Sequence, residues 1–412
     1  MAESLPAADV PAVANAPPPP PPAMAEWDIQ PVIDWLVHDG RLIVDAPKLI
    51  DALAAHLLAA GAPLWRLRIG LQAIHPLYRT MGLLWRRGEA VQQEGRPHGI
   101  EKTPDYIGSP IQELVETRRP VRYRLDHLGN ENHEMLHALA AEGGTDYYAA
   151  PVPVAHGRWP AITFATDRKG GFTDADIAKL QSLLDHLGPI LEGHISHLVT
   201  TTLMNTYLGR IVGEQILSGL IKRGDGQSIN AVLWFSDLRD FTGLNERLGA
   251  TDVLELLNNY LQLVGDALGA HGGEILKFIG DGVMGYFPAE DALFLPMVTG
   301  NALNAARRLI DDIDAANSAR ATFGHDPVRF GIGLHVGVVT FGNIGTEDRL
   351  DFTVIGPAVN RAARLESLTK ELHVPVCASA EFNDVCMTPM LSLGKHMLKG
   401  VPEAVEVFTL PS

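Results

Sequence analysis

The chain of 412 residues holds only two cysteines, Cys377 and Cys386. Two are too few for a disulfide framework, and their spacing matches no zinc-binding pattern, so both read as small buried apolar residues. Basic side chains are also short: 33 Lys and Arg against 49 Asp and Glu give a formal charge of −16. A general nucleic-acid binder needs a basic face to neutralise phosphates, and this balance excludes one. No run approaches the ~18 uninterrupted apolar residues of a membrane span. The N-terminus shows no basic stretch leading into an apolar one, which speaks against a secretory signal. The expectation is a soluble, cytoplasmic protein. Apolar material is ample, at 46% of residues, with 20% charged. At roughly 150 residues per domain the length suggests two or three domains.

Residues 1–26 are rich in Pro and Ala and contain an unbroken run from Pro17 to Pro22. Consecutive prolines favour polyproline II and build no core, so this segment reads as a disordered tail. Over 28–38 and 46–61 apolar residues recur at helical spacing, and Gly61 and Pro63 end the second helix. Strand-like segments follow at 64–74, 121–125, 146–154 and 160–166. The stretch 86–110, rich in Gly, Pro and charge, reads as a long loop. Thr173 is a suitable N-cap, and Asp176 stands where the acid of a capping box belongs. The helix it opens runs to about residue 195, with leucines at 180, 183, 184, 187 and 191.

Strands flanked by helices and closed by a long helix describe an α+β domain over 27–195. This order, with GFTDADIAKLQSLLDHLG at its end, resembles a GAF sensor domain. Its input, a small molecule or a protein, is not named by any motif. The absence of cysteine from 1–376 excludes a thioether-linked chromophore there. Leu198, Leu203, Leu208, Ile211, Ile216 and Leu220 continue at near-helical spacing, broken by Gly209, Gly213 and Gly219. Residues 196–227 therefore read as a helical linker that pairs two chains, with Gly224-Asp225-Gly226 marking a domain boundary.

The chemistry lies further on. Ala231–Phe235 is apolar and branched or aromatic, as in a buried strand, and Asp237 is expected just past its end. A carboxylate at a strand end, beside backbone carbonyls, suits a hard divalent cation. Residues 250–272 read as a helix. Glu274–Phe287 reads as strand, Gly-Asp-Gly turn, strand, which puts Asp281 at a hairpin tip. Asp237 and Asp281 meet if the two strands are neighbours. Two such carboxylates can hold two cations for in-line displacement at phosphorus.

Four segments in order, FSDLRDFT, KFIGDGVMGYF, VVTFGNIGTEDRLDFTVIGPAVNRAARLESL and LGKHMLKGVPEAVEVFTL, resemble the class III nucleotide cyclase catalytic domain across 228–412. The resemblance implies an α+β fold with a ferredoxin-like βαββαβ core. It implies conversion of a nucleoside triphosphate to its 3′,5′-cyclic monophosphate and pyrophosphate, with two Mg²⁺ or Mn²⁺ ions per site. By the same resemblance Asp237 and Asp281 are the metal carboxylates, and Leu238 supplies a backbone carbonyl. Lys277 and Thr353 read the base, Asn360 orients the ribose, and Arg364 stabilises the transition state. Lys399 contacts the triphosphate, and Arg349 is an additional phosphate contact. An ammonium donates and suits the acceptor N1 of adenine, whereas relatives that use GTP usually carry Glu in place of the lysine. Lys277 with Thr353 thus implies ATP and the Thr-type adenylate cyclase subgroup. The family pairs its catalytic domains head to tail, which implies a homodimer with composite sites. The rival readings are a guanylate cyclase and a non-catalytic nucleotide-sensing signalling protein.

Overall fold

The computed structural model describes residues 26–411 except 73–75, 156–158, 221, 223, 225 and 290. The proline-rich run, the end of the 64–74 segment and Asp225 lie outside the described residues. The chain divides into two compact units, residues 1–199 and 200–412. Among the described residues no helix is long and apolar enough to cross a membrane.

The first unit begins with α1 (Gln30–His38) and α2 (Ala46–Ala59). Asp45 caps α2 by accepting the Lys48 amide at 2.9 Å, and Pro47 suits its first turn. Then come β1 (Arg66–Gln72), β2 (Tyr78–Arg86), β3 (Gln92–Pro97), α3 (Pro110–Thr117), β4 (Val121–Arg124), α4 (Glu134–Ala141), β5 (Asp146–Pro151), β6 (Ala161–Thr166) and α5 (Asp174–Leu208). The six strands form one antiparallel sheet in the order β3-β2-β1-β6-β5-β4. The stretch 86–110 is thus not a loop. It contains β3 and the start of the segment leading to α3, and β2 ends within it. Alternation along β1 sends Leu67 and Ile69 to a fully buried face and Arg66 and Arg68 to the other. On that second face Leu114 of α3 and Leu136 and Leu139 of α4 cover Tyr147, Ala149 and Ala161. The capping box forms as expected: Thr173 Oγ1 accepts the Asp176 amide at 3.1 Å, and Asp176 Oδ2 accepts the Thr173 amide at 2.7 Å. Asp176 also accepts Trp27 Nε1 at 2.6 Å and pairs with Arg168. Leu180, Leu183, Leu184, Leu187 and Leu191 of α5 are all buried.

The second unit contains the end of α5, then α6 (Arg210–Leu217), β7 (Gly226–Leu238), α7 (Phe241–Arg247), α8 (Ala250–Ala270), β8 (Glu274–Ile279), β9 (Gly282–Ala289) and α9 (Leu295–Thr322). It ends with β10 (Phe330–Gly345), β11 (Leu350–Ile355), α10 (Pro357–Leu372), β12 (Val376–Ser379), α11 (Ala380–Val385), β13 (Leu391–His396) and β14 (Val405–Thr409). The sheet runs β13-β14-β12-β10-β7-β9-β8, with β11 pairing on β10, and only β10 and β12 are parallel. The mixed α+β architecture has two cores. On one face Val232, Trp234, Val283, Phe287, Ile332 and Leu334 pack with α8 and α9. On the other, Ala231, Leu233, Met284 and Tyr286 pack with β11, α6 and Ala358 and Ala362 of α10.

Several apolar residues of the 196–227 segment pack within their own chain. Gly209 takes φ 86°, which ends α5 and redirects the chain. Leu208, Ile211, Ile216 and Leu220 then pack onto the second core of their own unit. Gly213 permits this return, because a Cβ there would stand 2.6 Å from Asn205 Oδ1 and 3.1 Å from the Met204 backbone. Cys377 is fully buried in β12, where burial pushes its thiol up to about 12.

Candidate active site

Asp237 lies within β7, one residue before its end, rather than past it. The last β7–β9 pair is Ser236 with Val283, so Asp237 stands level with the turn that opens β9. That turn is two residues long, and Gly280 alone takes the positive φ, 66°. Asp281 follows it directly. The strands are neighbours, and the two carboxyl groups stand close enough to interact. Burial first, then the Asp281 charge, pushes Asp237 from 3.8 up to about 7. Gly282 leaves room for this contact, since a Cβ there would come within 3.2 Å of Asp237 Oδ1.

Arg239 and Asp240, a departure from the small residue that often precedes Phe-Thr in the cyclase pattern, carry no role in the sequence reading. Arg239 folds back onto α10, where its Nη1 donates to Glu366 Oε1 at 2.8 Å and its Nη2 to the Glu366 carbonyl at 3.3 Å and to the Thr369 hydroxyl. Glu366 is 8% exposed, and burial raises its pKa. This pair ties the end of β7 to α10, the helix that carries Asn360 and Arg364. Asp240 then turns the chain into α7 with φ 58°, an uncommon value for a residue other than glycine and one that Asp tolerates.

Glycines on β10 set how closely α10 lies on the sheet. A Cβ at Gly333 would overlap the Ala362 carbonyl and the Glu366 amide, and one at Gly337 would stand 2.6 Å from Ala358 Cβ. At Gly331 the room is taken by Arg239 and Thr369. The sequence FGIGLHVG is therefore a strand whose missing side chains admit a helix.

Asn360 is exposed one turn into α10, past the Gly356 N-cap. Arg364 lies four residues on, along the same helix face. It reaches the β13–β14 loop: a Cβ on Gly400 would be 3.4 Å from Arg364 Nη2. Lys399 precedes that glycine and is exposed. Among the described residues Arg364, Lys399 and Arg349 form no ion pair. Three cations are thus free for an anion.

Lys277, on β8, forms an ion pair with Asp351 of β11. Thr353, 9% exposed, is two residues along the same strand and opposite Gly342. Asp351 is a partner that sequence reading missed, although LDFT places it on the Thr353 face of an alternating strand. The charges that act most on Asp237 are those of Asp281, Glu366 and Arg239, and neither Lys277 nor Arg364 is among them. The single chain brings together Asp237 with Asp281, Lys277 with Asp351, and Arg364 with the Lys399 loop. Among the described residues no hydrogen bond or ion pair links these three groups.

Two adjacent carboxyl groups, one of them pushed up to about 7 by burial and by the other's charge, are hard oxygen donors that fit Mg²⁺ or Mn²⁺. Among the described residues no group of three or more His, Cys, Asp or Glu gathers. The two carboxyl groups alone make only part of a coordination shell. Acidic oxygens beside a helix bearing free cations are the parts of a site for a metal-bound polyanion.

The comparisons agree. Residues 226–410 match the family described as Adenylate and Guanylate cyclase catalytic domain. "Adenylate cyclase, terminal-differentiation specific" of Dictyostelium discoideum is 37% identical over 36% of this chain and 7% of that protein. "Adenylate cyclase 1" of Rhizobium meliloti is 27% identical over 68% of this chain and 43% of its own length. "Adenylate cyclase" of Anabaena cylindrica is 36% identical over 37% of this chain and 30% of its own. The chain spans less than half the length of each of these relatives.

Proposed function

We propose that this chain is an adenylate cyclase of the Thr-type subgroup, converting ATP to 3′,5′-cyclic AMP and pyrophosphate. The observation that carries the reading is the carboxylate pair of Asp237 and Asp281, joined through Arg239–Glu366 to the helix that bears Asn360 and the unpaired Arg364. In the reaction the ribose 3′-oxygen bonds to the α-phosphorus as the α–β bridging bond breaks. The 3′-hydroxyl loses its proton and pyrophosphate leaves.

Asp237, Asp281 and the Leu238 carbonyl would hold two Mg²⁺ or Mn²⁺ ions. When bound, the ions lower the acidity barrier at the 3′-hydroxyl and neutralise charge on the phosphates. The Lys277 ammonium donates to adenine N1, and Asp351 steadies the lysine. Thr353 supplies the second polar contact to the base. Asn360 orients the ribose. Charge builds on the phosphoryl oxygens in the transition state, and the fixed guanidinium of Arg364 stabilises it there more than in the ground state. Lys399 and Arg349 hold the triphosphate.

The separation of the three residue groups within one chain supports composite sites in a head-to-tail homodimer. Large apolar side chains stand exposed on the strands of Lys277 and Thr353 and on their neighbour β10: Phe278 and Ile279 on β8, Leu350 and Ile355 on β11, and Ile344 on β10. Such side chains are suited to burial against a second copy. The order β7-α8-β8-β9-α9-β10, with the sheet order β10-β7-β9-β8, supports the ferredoxin-like reading of the core. The first unit, a six-stranded sheet closed by a long helix, supports the reading of a GAF-like regulatory domain at 27–195, followed by the 196–227 linker.

The test is product formation by the purified chain from ATP and separately from GTP, with Mn²⁺ and then Mg²⁺. Cyclic AMP from ATP is expected, with GTP poorly used. Equal turnover of GTP refutes the base-reading pair, and an Asp237→Ala variant with unchanged turnover refutes the mechanism.

A further inference from the structure

We propose that the first unit holds a binding site for a small organic anion, a carboxylate or phosphoryl group on a partly apolar body. Arg66 and Arg68 grip the oxygens at the floor of a cavity between the sheet and α3–α4. The cavity measures about 600 Å³, within the ~300–1,000 Å³ of small-molecule sites. Its sheet wall carries Arg66, Arg68, Arg79, Arg96, Tyr147 and Thr163. Its opposite wall includes Ile100, Pro104, Ile111, Val115, Met135 and Ala138.

The register explains why the arginines converge. Arg66 and Arg68 share a face of β1, and Arg68 pairs with Thr163 of β6. The helices cover Tyr147, Ala149 and Ala161 on that face, and the arginines lie beyond them. Arg68 lies across the sheet because β2 has a glycine beneath it: a Cβ on Gly82 would come within 2.9 Å of Arg68 Nη2.

The charges do not balance. Glu94 is shared by Arg68 at 3.4 Å and Arg96 at 3.5 Å, and Arg79 pairs with Glu101 at 3.5 Å. Arg66 forms no ion pair among the described residues, and its Nε has no hydrogen-bond partner. Three guanidinium groups therefore face one carboxylate. Asp105 and Glu134 also line the cavity but pair with none of these arginines. Burial pushes Arg66 down to about 10. A buried, unpaired guanidinium costs stability and gives the fold nothing in return unless an anion arrives. The unpaired Arg66, beside an Arg68 that shares Glu94 with Arg96, suits a small anion. The apolar wall calls for a carbon body, which an inorganic ion lacks.

The test uses the full chain and three probes of one shape: benzoate, phenyl phosphate and the neutral benzamide. Calorimetric titration should show at least one of the anions binding saturably, at least tenfold tighter than benzamide, and comparison of the two separates carboxylate from phosphoryl recognition. Arg66→Gln should abolish that preference while leaving the ligand-free unfolding temperature unchanged or higher, because an unpaired buried charge is gone. The proposal fails if neither anion outbinds benzamide in the wild-type protein, a comparison that needs no variant. It fails also if Arg66→Gln keeps the preference. Binding is read without turnover, so neither outcome depends on the nucleotide chemistry of the second unit.

Discussion

Asp281→Asn offers a way to measure the carboxylate pair without assaying turnover. Asp237 binds its proton more tightly in the folded chain than in the unfolded one, near pH 7 against 3.8. The sign follows from linkage: stability is fullest below the unfolded value and is lost as pH rises towards and through about 7. At ~1.4 kcal/mol per pH unit the ceiling is roughly 4 kcal/mol. Asp237 is only partly buried, so solvent screening reduces the expected loss to about 1–2 kcal/mol. In chelator, urea unfolding followed by tryptophan fluorescence should show the wild-type protein losing this much between pH 5 and 8. Trp234, fully buried on β7 beside the pair, makes the second unit visible in that signal. Asp281→Asn removes the like charge, so its loss should be smaller by about 1 kcal/mol. Added Mn²⁺ should stabilise the wild-type protein more at pH 8 than at pH 5, because the cation displaces the proton on Asp237, and should do little for the variant. Equal stabilisation by Mn²⁺ at both pH values, or in both proteins, would refute the reasoning.

Other expectations follow from the packing and from the free cations. Gly333→Ala drives a methyl into the Ala362 carbonyl and should cost about 2–3 kcal/mol, read as a lower urea midpoint. Arg239→Ala strands the buried Glu366 and should cost about 3 kcal/mol, with Glu366→Gln recovering part of that loss in the double variant. Arg364→Ala, which breaks no ion pair, should leave the urea midpoint within about 0.5 kcal/mol and lower kcat roughly 100-fold with KM little changed.

Elements with strong local patterns were readable in the sequence. The capping box at Thr173–Asp176, the buried strand before Asp237 and the hairpin around Asp281 each declare themselves within about ten residues, the span over which local pattern operates. β3 did not, because QQEGRP is polar throughout, lies mostly exposed at the sheet edge and shows no alternation. α3 and α4 are eight residues each, two turns, too short for a periodic signal to stand out. The stretch Leu208–Leu220 was hard to place for a different reason. An apolar stripe reports that a helix is covered but not by what, and here the cover is the chain's own sheet. Arg239–Glu366 and Lys277–Asp351 join residues far apart in sequence, so no spacing announces them. Of the candidate site, each residue type was legible, and so was the Asp237–Asp281 meeting. The grouping of the remaining side chains depended on how β11 and α10 return to the sheet.

The measurement that tests the central account most directly is cyclic AMP formation from ATP by a mixture of two disabled chains, Asp237→Ala and Arg364→Ala. If each site takes its metal carboxylates from one chain and its transition-state arginine from the other, each variant alone is nearly inactive. Mixing then restores about a quarter of wild-type activity, since half the dimers are mixed and each has one intact site. A wild-type chain that forms cyclic AMP while the mixture stays as inactive as its components would contradict composite sites and place the whole reaction within one chain.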